Sequence, residues 1–353
     1  MPGLRNTSFT VRIVVYAAIA ALLLVLPFVV EPLLGRTWVR IIDVALLFVM
    51  LALGLNIVVG FAGLLDLGYV AFFAVGAYVY ALLASPHFGI HWPFFLVLPL
   101  GAAVACFFGV LLGAPTLRLR GDYLAIVTLG FGEIIRIFLN NLNRPVNITN
   151  GPLGITLIDP IRFGDVSLSQ HHVLGDLTFA PVHSYYYVFL ACALLSIAIS
   201  LRLEDSRIGR AWIAIREDEV AAKAMGIHTR NVKLLAFAMG ASFGGISGGL
   251  FAAFQGFVSP ESFALLDSIM ILCMVVLGGM GHVPGVVLGA ILLTALPEAL
   301  RYVGPLQQSW FGEVLIDPSD LRMLLFGLAL VLMMLFRPAG LWPSRVRKRE
   351  FAE

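Results

Sequence analysis

The residues of this chain that could act chemically are few, because only 12% of its 353 residues are charged. The densest group lies between two long apolar stretches in the second half of the sequence. It contains Arg210 and Arg216, and the second of these is followed at once by Glu217, Asp218 and Glu219. Side chains of these types at these spacings cap helices and form ion pairs. This mixture of charges suits docking against another protein.

Reactive side chains are not arranged for catalysis or for metal binding. The sequence contains no H-E-x-x-H motif and no G-x-x-x-x-G-K-[ST] phosphate loop. Cys106, Cys192 and Cys273 each stand alone in an apolar run, which is typical of small buried side chains. We therefore expect no enzyme activity, no metal site and no cofactor bound by this chain.

Long apolar segments must position the charged group, and they indicate a membrane protein. Hydrophobic residues make up 60% of the chain, whereas soluble domains contain about 45–50%. A membrane-spanning helix requires about 20 mostly apolar residues. Segments that approach this length are 11–30, 40–59, 67–84, 94–113, 122–140, 184–201, 234–256, 267–281, 285–303 and 321–336. The prediction is an all-α polytopic membrane protein with about ten transmembrane helices, some of them short or broken.

The basic residues predict the orientation of these helices, since cytoplasmic loops are enriched in Lys and Arg. If the N-terminus is cytoplasmic, ten helices place most of the 23 basic residues on the cytoplasmic side. These residues lie in the N-terminal tail, in loops 114–121 and 202–233, and in the C-terminal tail. Both termini are therefore predicted to be cytoplasmic.

This topology makes residues 1–353 a single transmembrane domain with three hydrophilic parts. An external loop is predicted at 141–183, a cytoplasmic loop at 202–233 and a basic cytoplasmic tail at 338–353. In the cytoplasmic loop, Asp205 or Ser206 is suited to begin a helix. Apolar residues then recur at helical spacing, and a glycine further on is suited to end the helix. We expect one amphipathic helix that lies either against another protein or on lipid headgroups.

The sequence around this helix resembles a known family. Its signature combines an arginine-containing GRA segment, a run of acids, AAxxMGI and KLLAF. The matching segments are Gly209–Ala211, Arg216–Glu219, Ala221–Ile227 and Lys233–Phe237, with further matches at Asn56–Gly60, Gly63–Gly68, Gly256–Phe263 and Gly278–Gly281. Over about residues 40–340 the chain resembles permease subunits of branched-chain amino acid ABC importers (the LivM and LivH type). The external segment Asn150–Ile155 and the chain length are more similar to the LivM-like subunit.

The resemblance implies a bacterial inner-membrane permease that moves branched-chain or other apolar amino acids into the cytoplasm. It implies that ATP and Mg bind to two separate ATPase subunits. It also implies a second homologous permease, an external substrate-binding protein and surrounding lipid as partners, with no nucleic acid. By the same resemblance, the loop at 202–233 couples to the ATPase through Arg210, Arg216, Glu217, Asp218, Glu219, Ala221, Ala222 and Gly226.

Other functions stay open at this stage. Val220 stands where the wider importer motif has glutamate, and the usual Ile-x-Leu-Pro ending is missing, which favours the branched-chain subfamily over the wider class. Permeases for urea or short amides share much of the pattern. A secondary transporter without an ATPase partner is the alternative of another class, and such a protein would need no docking loop.

Inside the predicted bilayer, glycines recur every fourth residue in two apolar segments. Small residues at this spacing let helix backbones approach closely in lipid, so these glycines are predicted to pack helices, with gating as the alternative. They are Gly240, Gly244 and Gly248 in the first segment, and Gly281, Gly285 and Gly289 in the second. Pro284 is expected to mark a helix break in the second segment.

Polar residues within apolar segments are candidates for the transport pathway. We select Asn56, Asp66, Tyr69, Glu133 and Gln255 for this role. The alternatives remain open, because Asp66 and Asp267 could instead cap helices, and each of two pairs could neutralise itself on one helix face. These pairs are Glu133 with Arg136 and Glu298 with Arg301.

Overall fold

A computed structural model describes most of the chain. The described residues are 9–301 without 118, 120, 165, 171, 175 and 176, together with 307, 324, 327–328, 331–332, 335–337 and 340–342. The α-helices up to residue 301 are α1 (Phe9–Leu34), α2 (Arg36–Leu55), α3 (Val70–Leu83), α4 (Phe94–Thr116), α5 (Asp122–Asn141), α6 (Pro181–Glu204), α7 (Arg207–Glu217), α8 (Glu219–Ala224), α9 (Thr229–Gln255), α10 (Leu265–Gly278) and α11 (Val283–Arg301).

Within these residues, 6 helical segments are long and apolar enough to cross a membrane. They are Arg36–Phe61, Phe94–Thr116, Pro181–Glu204, Thr229–Gln255, Pro260–Gly278 and Val283–Arg301. Ala21–Leu34 and Val70–Leu83 are shorter apolar helices. The predicted segment 321–336 and the basic tail 338–353 lie mostly outside the described residues. The prediction of an all-α polytopic membrane protein is thus confirmed.

Two of the long helices end in irregular backbone. The helix α2 continues without interruption as a π-helix at Asn56–Phe61, and Gly63 then takes a φ of 68°. Between α10 and α11, Gly279 and Gly281 take φ values of 114° and 80°. These positive φ angles favour glycine and end the helix. The break therefore precedes Pro284, which lies in the first turn of α11, where a missing N–H is tolerated.

Short paired strands accompany the helices, and the sequence did not predict them. The 3-10 helix Gly151–Leu153 leads into β3 (Ile155–Thr156), which pairs antiparallel with β8 (Phe257–Val258) just after α9. The other pairs are β1 (Ala84–Ser85) with β2 (Ile90–His91), β4 (Arg162–Phe163) with β5 (Val166–Ser167), and β6 (His172–Leu174) with β7 (Leu177–Phe179). Part of the predicted external loop is therefore fixed to the end of α9.

The centre of the bundle is α9, which packs against α3 and α4 through backbone surfaces without side chains. A methyl group added to Gly244 would lie 3.0 Å from Phe72 Cβ in α3, and one added to Gly248 would lie 2.6 Å from the backbone nitrogen of Ala77. From the α4 side, a methyl group on Gly109 would lie 2.7 Å from the Cβ of Ala241. The three helices therefore approach too closely for larger residues.

The other predicted glycines also lie at close contacts. A methyl group on Gly240 would lie 2.6 Å from Val58 Cγ2. One on Gly289 would lie 2.8 Å from the backbone nitrogen of Gly278, so α11 packs closely on α10. Gly285 faces Gly278 and lies near Trp342, whose carbonyl oxygen would be 2.7 Å from an added methyl group.

We predict that Gly248→Leu lowers the stability of the bundle, because the new side chain would push α9 away from α3. Overpacking of this kind costs about 1–3 kcal/mol. The measurement is the unfolding midpoint of the purified protein in detergent. The control is Gly130→Leu, since Gly130 in α5 has open space around it. Equal midpoints for the two variants would contradict the prediction.

Candidate functional site: the cytoplasmic loop and its attachment to the bundle

The loop at 202–233 folds into two helices, so the prediction of a single helix is wrong. The first, α7, begins after Ser206, whose Oγ accepts the backbone N–H of Gly209 at 3.0 Å. It ends before Asp218, which has an extended backbone. The second, α8, begins there because Asp218 Oδ1 accepts the N–H groups of Val220 at 2.7 Å and Ala221 at 3.0 Å. A side chain that satisfies two free amides starts a new helix, and a single periodic pattern does not reveal this.

Gly226 closes the end of α8. Its N–H donates to the carbonyl of Lys223 at 3.1 Å, and the next N–H, of Ile227, donates to the carbonyl of Ala222 at 3.1 Å. Gly226 has a φ of 84°. This pair of bonds with a left-handed glycine is the Schellman motif. The loop is therefore a defined unit of two short helices with fixed ends, which we call the α7–α8 unit (residues 207–226).

Trp212 anchors the α7–α8 unit to the membrane helices. Its side chain is fully buried, and its indole Nε1–H donates to the carbonyl oxygen of Val232 in α9 at 2.7 Å. The indole ring lies parallel to the ring of Phe61, with centroids 6.4 Å apart. A buried tryptophan with a satisfied N–H holds packed elements in a fixed arrangement. Here it joins α7 to both α9 and the π-helix.

Arg216 makes a second attachment, which we call the Arg216 junction (Arg216, Gly60, Asn56 and Gly281). Its Nη1 donates to the carbonyl oxygen of Gly60 in the π-helix at 2.7 Å. A methyl group on Gly281 would lie 3.3 Å from the same nitrogen. The Oδ1 of Asn56 accepts the N–H of Gly281 at 2.8 Å. A single guanidinium therefore meets the irregular backbone of two membrane segments, after α2 and after α10.

One titratable side chain borders this junction. His282 follows Gly281, and burial lowers the pKa of its imidazole, with a backbone hydrogen bond at Trp342 acting in the opposite direction. A histidine with a lowered pKa is neutral at physiological pH. His282 therefore adds no positive charge beside the guanidinium of Arg216 at physiological pH.

A third attachment involves Glu219, at the start of α8. Its Oε2 lies 2.8 Å from the Nζ of Lys233 in α9, whose side chain is only 8% exposed. Removing one partner of a buried ion pair costs more than removing one on an open surface, because a buried charge is left uncompensated. Arg216 and Glu219 were both predicted from the resemblance to belong to the ATPase-coupling loop, and the structure shows contacts of both with the bundle.

The other predicted coupling residues differ in their exposure to solvent. Arg210, Glu217, Asp218, Ala221 and Gly226 are exposed, whereas Ala222 is buried. Sequence reasoning missed two apolar side chains beside them, because Val220 is 69% exposed and Met225 is 84% exposed. Together with Ala221 and Ala224 they form the α8 outer face (Val220, Ala221, Ala224 and Met225). The sequence does contain a signal for this face, because positions 220, 221, 224 and 225 fall on one side of a helix and Ala222 falls on the other.

The five predicted pathway residues do not form one cluster. Besides Asn56 at the junction, Asp66 is fully buried and its Oδ1 accepts the N–H of Gly68 at 2.9 Å. The hydroxyl of Tyr69 donates to the carbonyl oxygen of Gly240 at 2.9 Å. Glu133 pairs with Arg136 on its own helix. Gln255 lies at the far end of α9, where its Oε1 accepts a hydrogen bond from Arg40 Nη2 at 3.1 Å.

Comparisons with known proteins agree with this architecture. The family model described as "Branched-chain amino acid transport system / permease component" matches residues 37–334. The LivM high-affinity branched-chain amino acid permease protein of Escherichia coli K12 is 43% identical over 339 residues, which cover 92% of this chain and 74% of that protein. The LivM protein of Salmonella typhimurium is 44% identical over 330 residues, covering 90% of this chain and 72% of that protein.

A more distant relative is the LivH permease protein of Escherichia coli K12, which is 27% identical over 258 residues, or 72% of this chain and 81% of that protein. No solved structure shows a significant match to the chain. The family match covers most of the chain. It begins after the apolar helix Ala21–Leu34 and includes the later apolar helices and the α7–α8 unit. The protein is thus a multi-pass inner-membrane protein, and it belongs to the family of permease components of branched-chain amino acid transport systems.

Proposed function

We propose that this chain is the membrane-spanning subunit of an ATP-driven importer that moves branched-chain or other apolar amino acids into the cytoplasm. The observation that carries the proposal is the α7–α8 unit, which exposes an apolar face and is joined to the bundle by Trp212, Arg216 and the Glu219–Lys233 pair. Relatives named as branched-chain amino acid permeases support the choice of substrate.

The proposed topology has about ten transmembrane helices with both termini in the cytoplasm. The concentration of basic residues in 202–233 and in the C-terminal tail supports it, since such clusters stay inside. In this arrangement residues 1–353 are one permease domain. The segment 141–183 faces outward, whereas the loop 202–233 and the tail 338–353 face the cytoplasm.

The proposed partners are a second, LivH-like permease, two ATPase subunits and an external substrate-binding protein, all within or beside lipid. ATP and Mg belong to the ATPase subunits in this proposal, because the present sequence contains no phosphate loop. The mixture of LivM-named and LivH-named relatives supports pairing between two kinds of permease.

Coupling would proceed through rigid contacts. If the ATPase subunits bind the α8 outer face, closure of those subunits around ATP would move the α7–α8 unit as one body. Because Arg216 Nη1 is bonded to Gly60 and lies beside Gly281, that motion would act on the irregular backbone after α2 and after α10. Such positions absorb changes of backbone angle more readily than regular helices do.

We predict that proteoliposomes containing the assembled importer accumulate L-leucine only when ATP is present on the side of the membrane that carries the ATPase subunits. The control is an assembly whose ATPase subunits lack the phosphate-loop lysine, which should accumulate none. Uptake that persists without ATP and disappears when ion gradients are collapsed would instead identify a secondary transporter. Stronger competition by urea or acetamide than by valine would identify an amide permease.

A second prediction concerns the α8 outer face. Val220→Asp combined with Met225→Asp should abolish copurification of the ATPase subunits, because each change places a charge in an apolar contact. The control is Val146→Asp, a change at another exposed valine, 62% exposed and far from the loop in sequence. Full ATPase recovery with the double variant would contradict docking through this face.

A third prediction concerns the Arg216 junction. Arg216→Gln removes a charged donor to a backbone carbonyl, a bond worth about 1.5–3 kcal/mol. We expect the ATPase subunits to remain bound and to hydrolyse ATP, while leucine uptake per ATP falls severalfold. The control is Arg36→Gln, because Arg36 pairs with Glu31 at 2.8 Å at the start of α2, outside the loop. An unchanged ratio of uptake to hydrolysis would disprove this role of Arg216.

A further inference from the structure

Two neighbouring cavities lie at the end of the bundle away from the α7–α8 unit, where α2 begins and α9 ends. The outer cavity has a volume of about 370 Å³, and its wall includes Pro160, Tyr185 and Ala253. The inner cavity is more enclosed, with a volume of about 140 Å³. Arg40, Phe254 and Gln255 line both cavities and therefore form the boundary between them.

Arg40 is held at this boundary by two contacts. Its Nη2 donates to Gln255 Oε1 at 3.1 Å, and its guanidinium carbon lies 5.4 Å from the centre of the Phe254 ring. Both of these partners are neutral, and Arg40 also interacts electrostatically with the carboxyl group of Asp43, three residues later on α2. A carboxylate is a stronger partner for a guanidinium than an amide oxygen is, because it is charged and can accept two parallel bonds.

The inner cavity is apolar on most sides and acidic at one position. Its walls include Val44, Leu47 and Leu51 from α2, Phe73 and Phe251 from α3 and α9, and Ile271 from α10. Asp267 also lines it and is fixed by accepting the backbone N–H of Ala264 at 3.1 Å. This volume is well above the minimum that one water molecule requires. It accommodates an apolar side chain but leaves the polar head of an amino acid outside.

From this arrangement we infer that the two cavities form a binding site for an α-amino acid with an aliphatic side chain. The side chain occupies the inner cavity, and the carboxylate replaces Gln255 as the partner of Arg40. The ammonium group lies between Asp267 and the released Gln255 amide oxygen. This inference rests on the proposed function, and it adds where and by which residues the substrate is held.

The side chains that line the inner cavity match the chemical groups of an aliphatic amino acid, which a cavity left by imperfect packing would not do. A zwitterion requires one cation and one anion on either side of its α-carbon, and Arg40 and Asp267 provide both at the edge of one apolar cavity. A purely apolar molecule would gain nothing from these charges. A purely charged molecule would gain nothing from the aliphatic walls.

The first test measures equilibrium binding of radiolabelled L-leucine to the complete assembled importer without its external binding protein. Arg40→Gln and Asp267→Asn should each weaken binding on the order of tenfold or more, as expected for loss of a charge-assisted hydrogen bond. The matched control is Arg36→Gln, four residues earlier on α2, since Arg36 is paired with Glu31 at 2.8 Å and lines neither cavity. Recovery of the ATPase subunits with each variant shows that assembly is intact.

The second test leaves every charge in place and changes only the size of the inner cavity. Val44 is half-buried and lines it. Val44→Phe should shift the preference of the assembly from leucine toward alanine, and Val44→Ala should shift it toward phenylalanine, each severalfold in competition against labelled leucine. The same substitutions at Val29, an exposed residue of α1, should change nothing.

The outcomes separate the site from the function. Suppose that the unchanged importer takes up leucine with ATP, but the Arg40, Asp267 and Val44 variants keep the same leucine affinity and size preference. That result would overturn the site and leave the proposed function intact. Absence of leucine binding by an unchanged importer that transports leucine would overturn the site in the same way. Absence of ATP-driven uptake by the unchanged importer would overturn the proposed function first.

Discussion

The close backbone packing of α9 is the constraint on which the rest of this structure depends. Lipid provides no hydrophobic drive between helices, so α9 is held by direct contact with α3 and α4 along a face of glycine and alanine. With 27 residues, α9 is about 40 Å long. It therefore extends from the α7–α8 unit, through Val232 and Lys233, to the boundary of the two cavities, through Phe254 and Gln255.

Charged residues are few in this protein, and three basic residues of the described part make specific contacts in or beside the helix bundle. Lys233 is buried against Glu219, and Arg216 donates to a backbone carbonyl. Arg40 donates to the neutral amide of Gln255 and lies over the Phe254 ring, and it interacts electrostatically with the buried Asp43 on its own helix. A charge in an apolar setting is costly unless it is bonded. Because the hydrogen bond of Arg40 goes to an amide oxygen, a carboxylate of the substrate could replace that oxygen in the proposed site.

Much of the fold could be predicted because the length of an apolar segment can be counted directly along the sequence. The segments 94–113, 184–201 and 234–256 correspond to α4, α6 and α9. The two glycine series could also be predicted as small-residue faces, since spacing of four residues places them on one side of a helix. Helix ends were less predictable. Asp218 starts a second helix in the loop because of two hydrogen bonds that a helical pattern cannot reveal.

The candidate sites were predictable only in part, for a related reason. A motif identifies which residues belong to the loop, and Gly226 could be recognised as its end. It does not say that Arg216 and Glu219 turn toward the bundle while Val220 and Met225 face outward. Likewise Gln255 was selected from its polarity alone, and Arg40, 215 positions away in sequence, became its partner only through the packing of α2 beside α9.

The sequence by itself determined that the protein lies in the membrane as a bundle of helices, and that it resembles an importer permease. Hydropathy, charge and local motifs depend on residues that are close in sequence, so they can be recognised before the fold is known. Only the tertiary structure decided which side chains meet across helices. Arg216 at Gly60 and Arg40 between Gln255 and Phe254 join distant segments, and such contacts depend on how closely the glycine faces allow the helices to approach.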